Sequence, residues 1–122
     1  MAAVTVTNTA ADNNSFESQG SKGFVQAYAA ASALTLLGGC KEQFVCYAQL
    51  TGAMTINATV SALRQFDKVC FLFSTDGTQR IVTFGTGFVS SGTVTIPASK
   101  DAVVWGVFDG TNIRICSREI QA

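Results

Sequence analysis

Polar and apolar positions exchange places every second residue along much of this chain. Ala53-Met-Thr-Ile-Asn-Ala-Thr-Val60 puts Met54, Ile56 and Ala58 on one side and Thr55, Asn57 and Thr59 on the other. A period of two marks a strand with one wet face. Arg80-Ile-Val-Thr-Phe84 and Thr93-Val-Thr-Ile96 repeat the pattern, with Thr83, Thr93 and Thr95 opposite Val82, Val94 and Ile96. Residues 44–50 predict another strand, with Phe44, Cys46 and Ala48 opposite Val45, Tyr47 and Gln49. Lys68-Val-Cys-Phe-Leu-Phe-Ser74 is apolar on both faces and predicts a central strand covered on both sides. In residues 102–108, Val103, Trp105 and Val107 face one way and Ala102, Val104, Gly106 and Phe108 the other. Residues 111–116 follow, with Ile113 and Ile115 opposite Asn112, Arg114 and Cys116.

Turn chemistry separates these runs. Asp76-Gly77 and Asp109-Gly110 each sit between apolar stretches and predict hairpins, because both turn positions tolerate positive φ. Gly85-Thr86-Gly87 predicts a bulge or tight corner, and Ser91-Gly92 a further turn. Pro97, the one proline, follows a strand directly, where it can end pairing.

The remaining segments are less regular. Residues 4–7 form a possible short strand, and residues 8–22 are polar, with Phe16 their one large apolar side chain. Such a stretch buries too little to order itself. It predicts an extended N-terminal arm over residues 1–22, followed by a domain over residues 23–122. Residues 23–30 read as a strand and residues 32–37 as a short helical turn stopped by Gly38-Gly39. Residues 61–67 read as a loop or a single helical turn. Many short strands without a long amphipathic helix give an all-β class: an antiparallel β-sandwich, jelly-roll-like.

Composition narrows the function classes. A chain of 122 residues predicts one domain. Eight basic and eight acidic residues cancel, which leaves no basic cluster to neutralise phosphates or to bind an anionic membrane surface. Histidine is absent, and with it the commonest general base and metal ligand. Met1-Ala-Ala-Val-Thr-Val-Thr-Asn8 lacks the basic start and apolar run of a secretory leader. Residues 43–63 carry no charge, but Gln49, Thr51, Gly52, Asn57 and Thr59 interrupt any membrane span. The expectation is a protein with neither nucleic-acid nor membrane partner.

Candidate chemistry resolves into structure at each position. Asp76 and Asp109 stand where turn geometry asks for Asp. Asp67 and Asp101 precede strands beside Lys68 and Lys100, which predicts exposed edges and ion pairs. Ser99-Lys100 has no supporting pattern for a serine nucleophile. Cys40 and Cys46 would need two distant ligands to hold zinc. Cys46, Cys70 and Cys116 lie in apolar runs and predict reduced, buried thiols. Trp105 and Tyr28 could serve as sugar platforms, but Trp105, flanked by valines, predicts core or subunit interface. No catalytic, cofactor-binding or metal residue is assigned, and no enzyme activity or cofactor is expected.

Several stretches resemble a β-domain of tailed-bacteriophage virion proteins. They are Leu50-Thr-Gly-Ala-Met-Thr-Ile-Asn-Ala-Thr59, Phe66-Asp-Lys-Val-Cys-Phe-Leu-Phe73 and Asp76-Gly-Thr-Gln-Arg-Ile-Val-Thr-Phe-Gly-Thr-Gly-Phe88. Ser91-Gly-Thr-Val-Thr-Ile-Pro-Ala-Ser-Lys100 and Val107-Phe-Asp-Gly-Thr-Asn-Ile-Arg-Ile115 continue the likeness. Leu34-Thr-Leu-Leu-Gly-Gly39 resembles the turn ahead of that domain in phage head proteins. The resemblance covers roughly residues 34–118 and consists of strand and turn patterns. It implies a capsid decoration (auxiliary or cement) protein: a homotrimer that binds the major capsid protein outside the head, made in the bacterial host cytoplasm and carried on the virion. Related domains in head fibres and tail fibres imply an alternative, recognition of host-surface glycans. The cysteines are unusual for the pattern.

Overall fold

A computed structural model describes residues 20–89 and 92–122. All of their regular structure is β. The strands are β1 (Ser21–Gln26), β2 (Ala31–Thr35), β3 (Glu42–Tyr47), β4 (Met54–Thr59), β5 (Lys68–Ser74), β6 (Arg80–Phe84), β7 (Thr93–Ile96), β8 (Asp101–Phe108) and β9 (Ile113–Ile120). They form a five-stranded sheet in the order β1-β3-β5-β8-β9 and a four-stranded sheet in the order β2-β4-β6-β7.

The route of the chain corrects the expected antiparallel arrangement. From β1 to β6 successive strands alternate between the two sheets, so each strand pairs with the one two places later. Such pairs run parallel: β1 with β3, β3 with β5, β2 with β4 and β4 with β6. Only after β6 does the chain double back, giving the antiparallel pairs β6–β7, β5–β8 and β8–β9. Both sheets are therefore mixed. The winding also differs from the antiparallel Greek keys that define a jelly roll. Alternation within one strand does not reveal the direction of its neighbour, which is why the pattern predicted strands correctly and their pairing wrongly.

Three local expectations change for related reasons. Asp76-Gly77 joins β5 to β6, which lie in different sheets, so it is a corner and not a hairpin. Asp109-Gly110 is the hairpin it was expected to be, and Gly110 has a φ of 103°. The helical turn expected over residues 32–37 is absent: Ala31–Thr35 is β2, with Ser32 and Leu34 buried and Ala31, Ala33 and Thr35 exposed. Pairing with β4 overrides the helix preference of alanine. Ser21 and Lys22, expected at the end of the arm, already belong to β1, and Gly20 forms a bend before it; residues 1–19 of that arm lie outside the described residues. So do the short strand expected over residues 4–7 and Ser91 of the expected Ser91-Gly92 turn.

A single core lies between the sheets. Phe71 of β5 is fully buried at its centre, with ring centroids 6.1 Å from Phe73, 5.8 Å from Phe84 and 5.9 Å from Phe88. Met54, Ile56 and Ala58 enter it from β4, as their alternation predicted. Val94 and Ile96 enter from β7, and Ala102, Val104 and Phe108 from β8. At roughly 1.5–3 kcal/mol for each large side chain buried, this cluster dominates the stability of the fold.

Polar groups stitch the same interior. Gln43, fully buried in β3, accepts the Leu37 N–H through Oε1 at 2.8 Å and donates through Nε2 to the Leu37 carbonyl at 2.9 Å. Its amide thus replaces a strand partner for the loop after β2. The Thr75 hydroxyl donates to the Pro97 carbonyl at 2.7 Å and accepts the Lys100 N–H at 3.0 Å, so it clasps the β7–β8 connection. Gly85-Thr86-Gly87 makes the expected tight corner against β4. The Thr86 N–H binds Oδ1 of Asn57, and the Thr86 carbonyl receives the Ala58 N–H.

Candidate interaction surface

The residues singled out for chemistry are placed apart, and most act on the backbone. Asp76 Oδ1 accepts the Thr78 N–H, and its carboxylate holds Arg80 in a two-point ion pair at 2.9 and 2.8 Å. Asp109 Oδ1 accepts the N–H groups of Thr111 and Asn112, while Oδ2 pairs with Arg114 Nε at 2.7 Å. These bonds hold both carboxyls below their ordinary range. The Arg80 guanidinium is the main cause at Asp76. At Asp109 the Asn112 N–H leads, followed by Arg114, and the carboxyl falls to about 2.

Asp67 departs from expectation. It is buried, and its carboxylate accepts the Arg64 N–H at 2.9 Å, so it caps a turn where an exposed ion pair was expected. Asp101 is exposed. Lys100 Nζ binds the main-chain oxygen of Ala122 at 2.7 Å, and Ser99 takes a φ of 56° in the turn before β8. Tyr28 is a strut: its hydroxyl donates to the Ala53 carbonyl at 2.9 Å. Among the described residues no three His, Cys, Asp or Glu side chains gather in a way that could hold a metal ion. No helix among them is long and apolar enough to cross a membrane.

All four cysteines are free thiols. Cys40 and Cys70 are buried, but Cys46 and Cys116 are exposed, which corrects the expectation of buried thiols for those two. Burial pushes the Cys40 and Cys70 thiols up from their ordinary value. Cys46 faces outward because strand alternation sends Val45 and Tyr47 into the core. Cys116 is the residue skipped at the register shift in the β8–β9 pair, and its thiol lies 3.5 Å from the Trp105 carbonyl.

The two outer faces of the fold differ in chemistry. The four-stranded sheet presents Ala31, Ala33 and Thr35 from β2 and Thr55, Asn57 and Thr59 from β4. From β6 and β7 it presents Ile81, Thr83, Thr93 and Thr95. That is a water-compatible face with one large apolar residue. The five-stranded sheet is the reverse. Its register sets Val25 beside Cys46, Leu72 and Val103 in one row, which ends on Glu119 of β9, and Phe44 beside Cys70 and Trp105 in the next, which runs from Gly23 to Ser117. Phe44 and Trp105 meet edge to face with centroids 5.7 Å apart. Cys70 sits between them in register, which explains why an outward-facing thiol is only 1% exposed. No second layer of described residues covers this face. Among the described residues, the second side of β5, expected to be covered, is shielded by the side chains of its neighbours in the sheet. Val25 is 73% exposed, while Leu72, Val103, Trp105 and Val107 are half-buried.

An open depression of about 700 Å³ lies at one end of that face, lined by residues that include Lys41, Arg64, Phe66 and Lys68. Phe66 is 71% exposed and holds a φ of 76°, a left-handed conformation that a bulky side chain adopts only at a cost of about 1–3 kcal/mol. The Phe66 N–H bonded to the Phe108 carbonyl at 2.7 Å and the Asp67 cap help fix it there. Nothing in the local sequence announced this residue, since its conformation is imposed by the long-range bond to β8.

The chain matches no family model, and it has no match among curated proteins.

Proposed function

We propose that this chain is a non-enzymatic structural protein of a virus particle. It decorates the outside of a tailed-phage head by binding the major capsid protein, associates as a homotrimer and stabilises the shell. The reading starts from the strand and turn resemblance. The observation that carries it is the contrast between the two outer faces. One is a threonine-lined surface suited to water, and the other is an apolar sheet face rimmed by charge. Broad apolar surfaces of this kind mark contacts between proteins. The ionised residues of the described fold fit the same reading, since the ones that carry strong hydrogen bonds spend them on turns.

In this reading residues 1–19 form an arm that reaches the shell or an adjacent subunit, adding contact area at a cost in ordering. The protein is made in the bacterial host cytoplasm and resides on the capsid surface. The test is to add the purified full chain to shells that lack it. Stoichiometric attachment by gradient sedimentation, together with a higher temperature of shell disruption, is expected. Absence of attachment at saturating protein would overturn the proposal.

A further inference from the structure

The depression at one end of the five-stranded sheet offers cations around an aromatic ring. Lys41, Arg64 and Lys68 line it and are exposed. None of their side chains enters an ion pair among the described residues, where the two ion pairs belong to Arg80 and Arg114. Two acids line the depression as well. Asp67 is buried, and its carboxylate accepts the Arg64 N–H. Glu42 is half-buried and accepts the Ser21 hydroxyl. The exposed charges of the depression are therefore the three cations, and like charges gathered in a concave site draw carboxylates toward it. Phe66 stands among them with its ring in solvent and its backbone in the left-handed region. A bulky residue stays in that conformation only where its surroundings impose it, and such residues gather at clamps for ligands.

The chain brings a fitting occupant to the rim. Gly20 lines the depression, and residues 1–19 join the domain at that point. Asp12 and Glu17 are the only charged side chains of residues 1–19, and Phe16 is their only aromatic one. Phe16 lies four residue steps before Gly20, a span of at most about 14 Å of extended chain. That reach suffices to cross a depression of about 700 Å³. A short tether also holds a segment near its site at an effective concentration on the order of millimolar. A contact too weak to retain a free peptide is then well populated.

We propose that residues 12–17 fill the depression of their own chain, with Phe16 against Phe66 and the carboxylates of Asp12 and Glu17 among Lys41, Arg64 and Lys68. An acidic peptide from another protein would match the same chemistry but lacks the tether. The contact fixes where the arm leaves the domain, and it leaves residues 1–11 to reach elsewhere. It is local and is released before the domain unfolds, so its loss leaves the thermal midpoint in place. It goes beyond the capsid reading and does not depend on it.

Chymotrypsin cleavage after Phe16 in the full chain, read by mass as loss of residues 1–16, tests this. Proteolysis tracks the open population when docking is fast. A peptide of residues 8–22, cut at the same bond, is the reference. Cleavage about tenfold slower in the full chain is expected from a tethered contact. Its rate per molecule should not change from about 1 to 100 µM, a range in which contacts between copies would show. Phe66→Gly removes the ring at a φ that glycine adopts freely, so the fold is kept and cleavage should rise toward the rate of the peptide. Lys68→Glu should act in the same direction. Salt at about 1 M should speed cleavage of the full chain more than that of the peptide, because it screens the charge pairs. Ile81→Glu on the opposite sheet should change nothing. A full chain cut as fast as the peptide, or protection untouched by Phe66→Gly and Lys68→Glu, overturns the proposal. Protection that grows with protein concentration also overturns it, since the arm then sits on a neighbouring copy. The assay contains no shells, so this contact and the capsid reading fail separately.

Discussion

The hydroxyls of Ser32 and Tyr47 share a buried hydrogen bond of 2.9 Å that joins β2 of one sheet to β3 of the other. Both residues are almost fully buried, at 1% and 3% exposure, so neither hydroxyl can turn to solvent. Tyr47→Phe and Ser32→Ala should each cost about 1–2 kcal/mol, because each strands the other hydroxyl. The double variant should cost less than the two single losses combined, as coupled neighbours do. Urea denaturation of the four proteins measures the cycle, and strict additivity would show that the bond contributes nothing specific.

Gln43 is the second polar anchor of the interior. Gln43→Ala removes both partners of the Leu37 backbone and opens space in β3. A loss of about 2–4 kcal/mol is expected, read as a lower denaturation midpoint with an unchanged slope.

Gly87 and Gly77 test the corner at residues 85–87. Gly87 holds a φ of 92°, and an added Cβ would come within 2.6 Å of the Ala58 carbonyl oxygen. Gly87→Ala should therefore cost about 1–3 kcal/mol or more. At Gly77 an added Cβ meets nothing within 4 Å, so Gly77→Ala should stay within about 0.5 kcal/mol of the unaltered chain. Equal effects at the two sites would contradict the close approach of the corner to β4.

Stability should fall at both ends of the pH scale, for different groups. Asp76 and Asp109 have carboxyls held below the ordinary 3.8, so their contribution is complete above that value. It drains as pH falls, continuing to about 2 for Asp109. Tyr47, Cys40 and Cys70 are raised by burial above 10.0, 9.0 and 9.0. Their contribution is whole below about 9 and is lost as pH rises beyond it. Denaturation midpoints across pH check both limbs, and Asp109→Asn should flatten the acid one.

Removing residues 1–19 should leave the domain folded, because β1 begins at Ser21 and pairs with β3 along its full length. Cutting further, through Lys22, would remove strand residues as well. The shortened protein is expected to keep its thermal midpoint and to bind shells more weakly. Unchanged shell binding would show that the arm has no part in attachment.

Much of the strand inventory was legible because burial follows alternation one residue at a time. Met54, Ile56 and Ala58 on β4, and Val103 and Trp105 opposite Val104 on β8, fall on the sides their spacing requires. Pairing was not legible, because Val45 packs equally well whether β3 meets a parallel or an antiparallel neighbour. The Asp-Gly signal describes a local turn and cannot say whether the chain returns to the same sheet, hence one hairpin and one corner. Trp105 was anticipated as a core or interface residue and stands on the apolar outer face. The polar anchors Ser32, Gln43 and Thr75 were missed, since their partners at Tyr47, Leu37 and Lys100 are set by tertiary packing. Phe66 was missed for the same reason.

The alternation of β1 to β6 between sheets bears on how the molecule assembles itself. No two of these strands that follow one another in the chain can zip together locally, so Ser21 must wait for Glu42, and Glu42 for Lys68. Each sheet is templated by the other's progress, and a chain stopped before β5 holds two unfinished sheets, neither able to close a core around Phe71. Folding should accordingly be slow for so small a protein and dominated by distant contacts. The β8–β9 hairpin is the piece most able to form early, and β5 then docks against it.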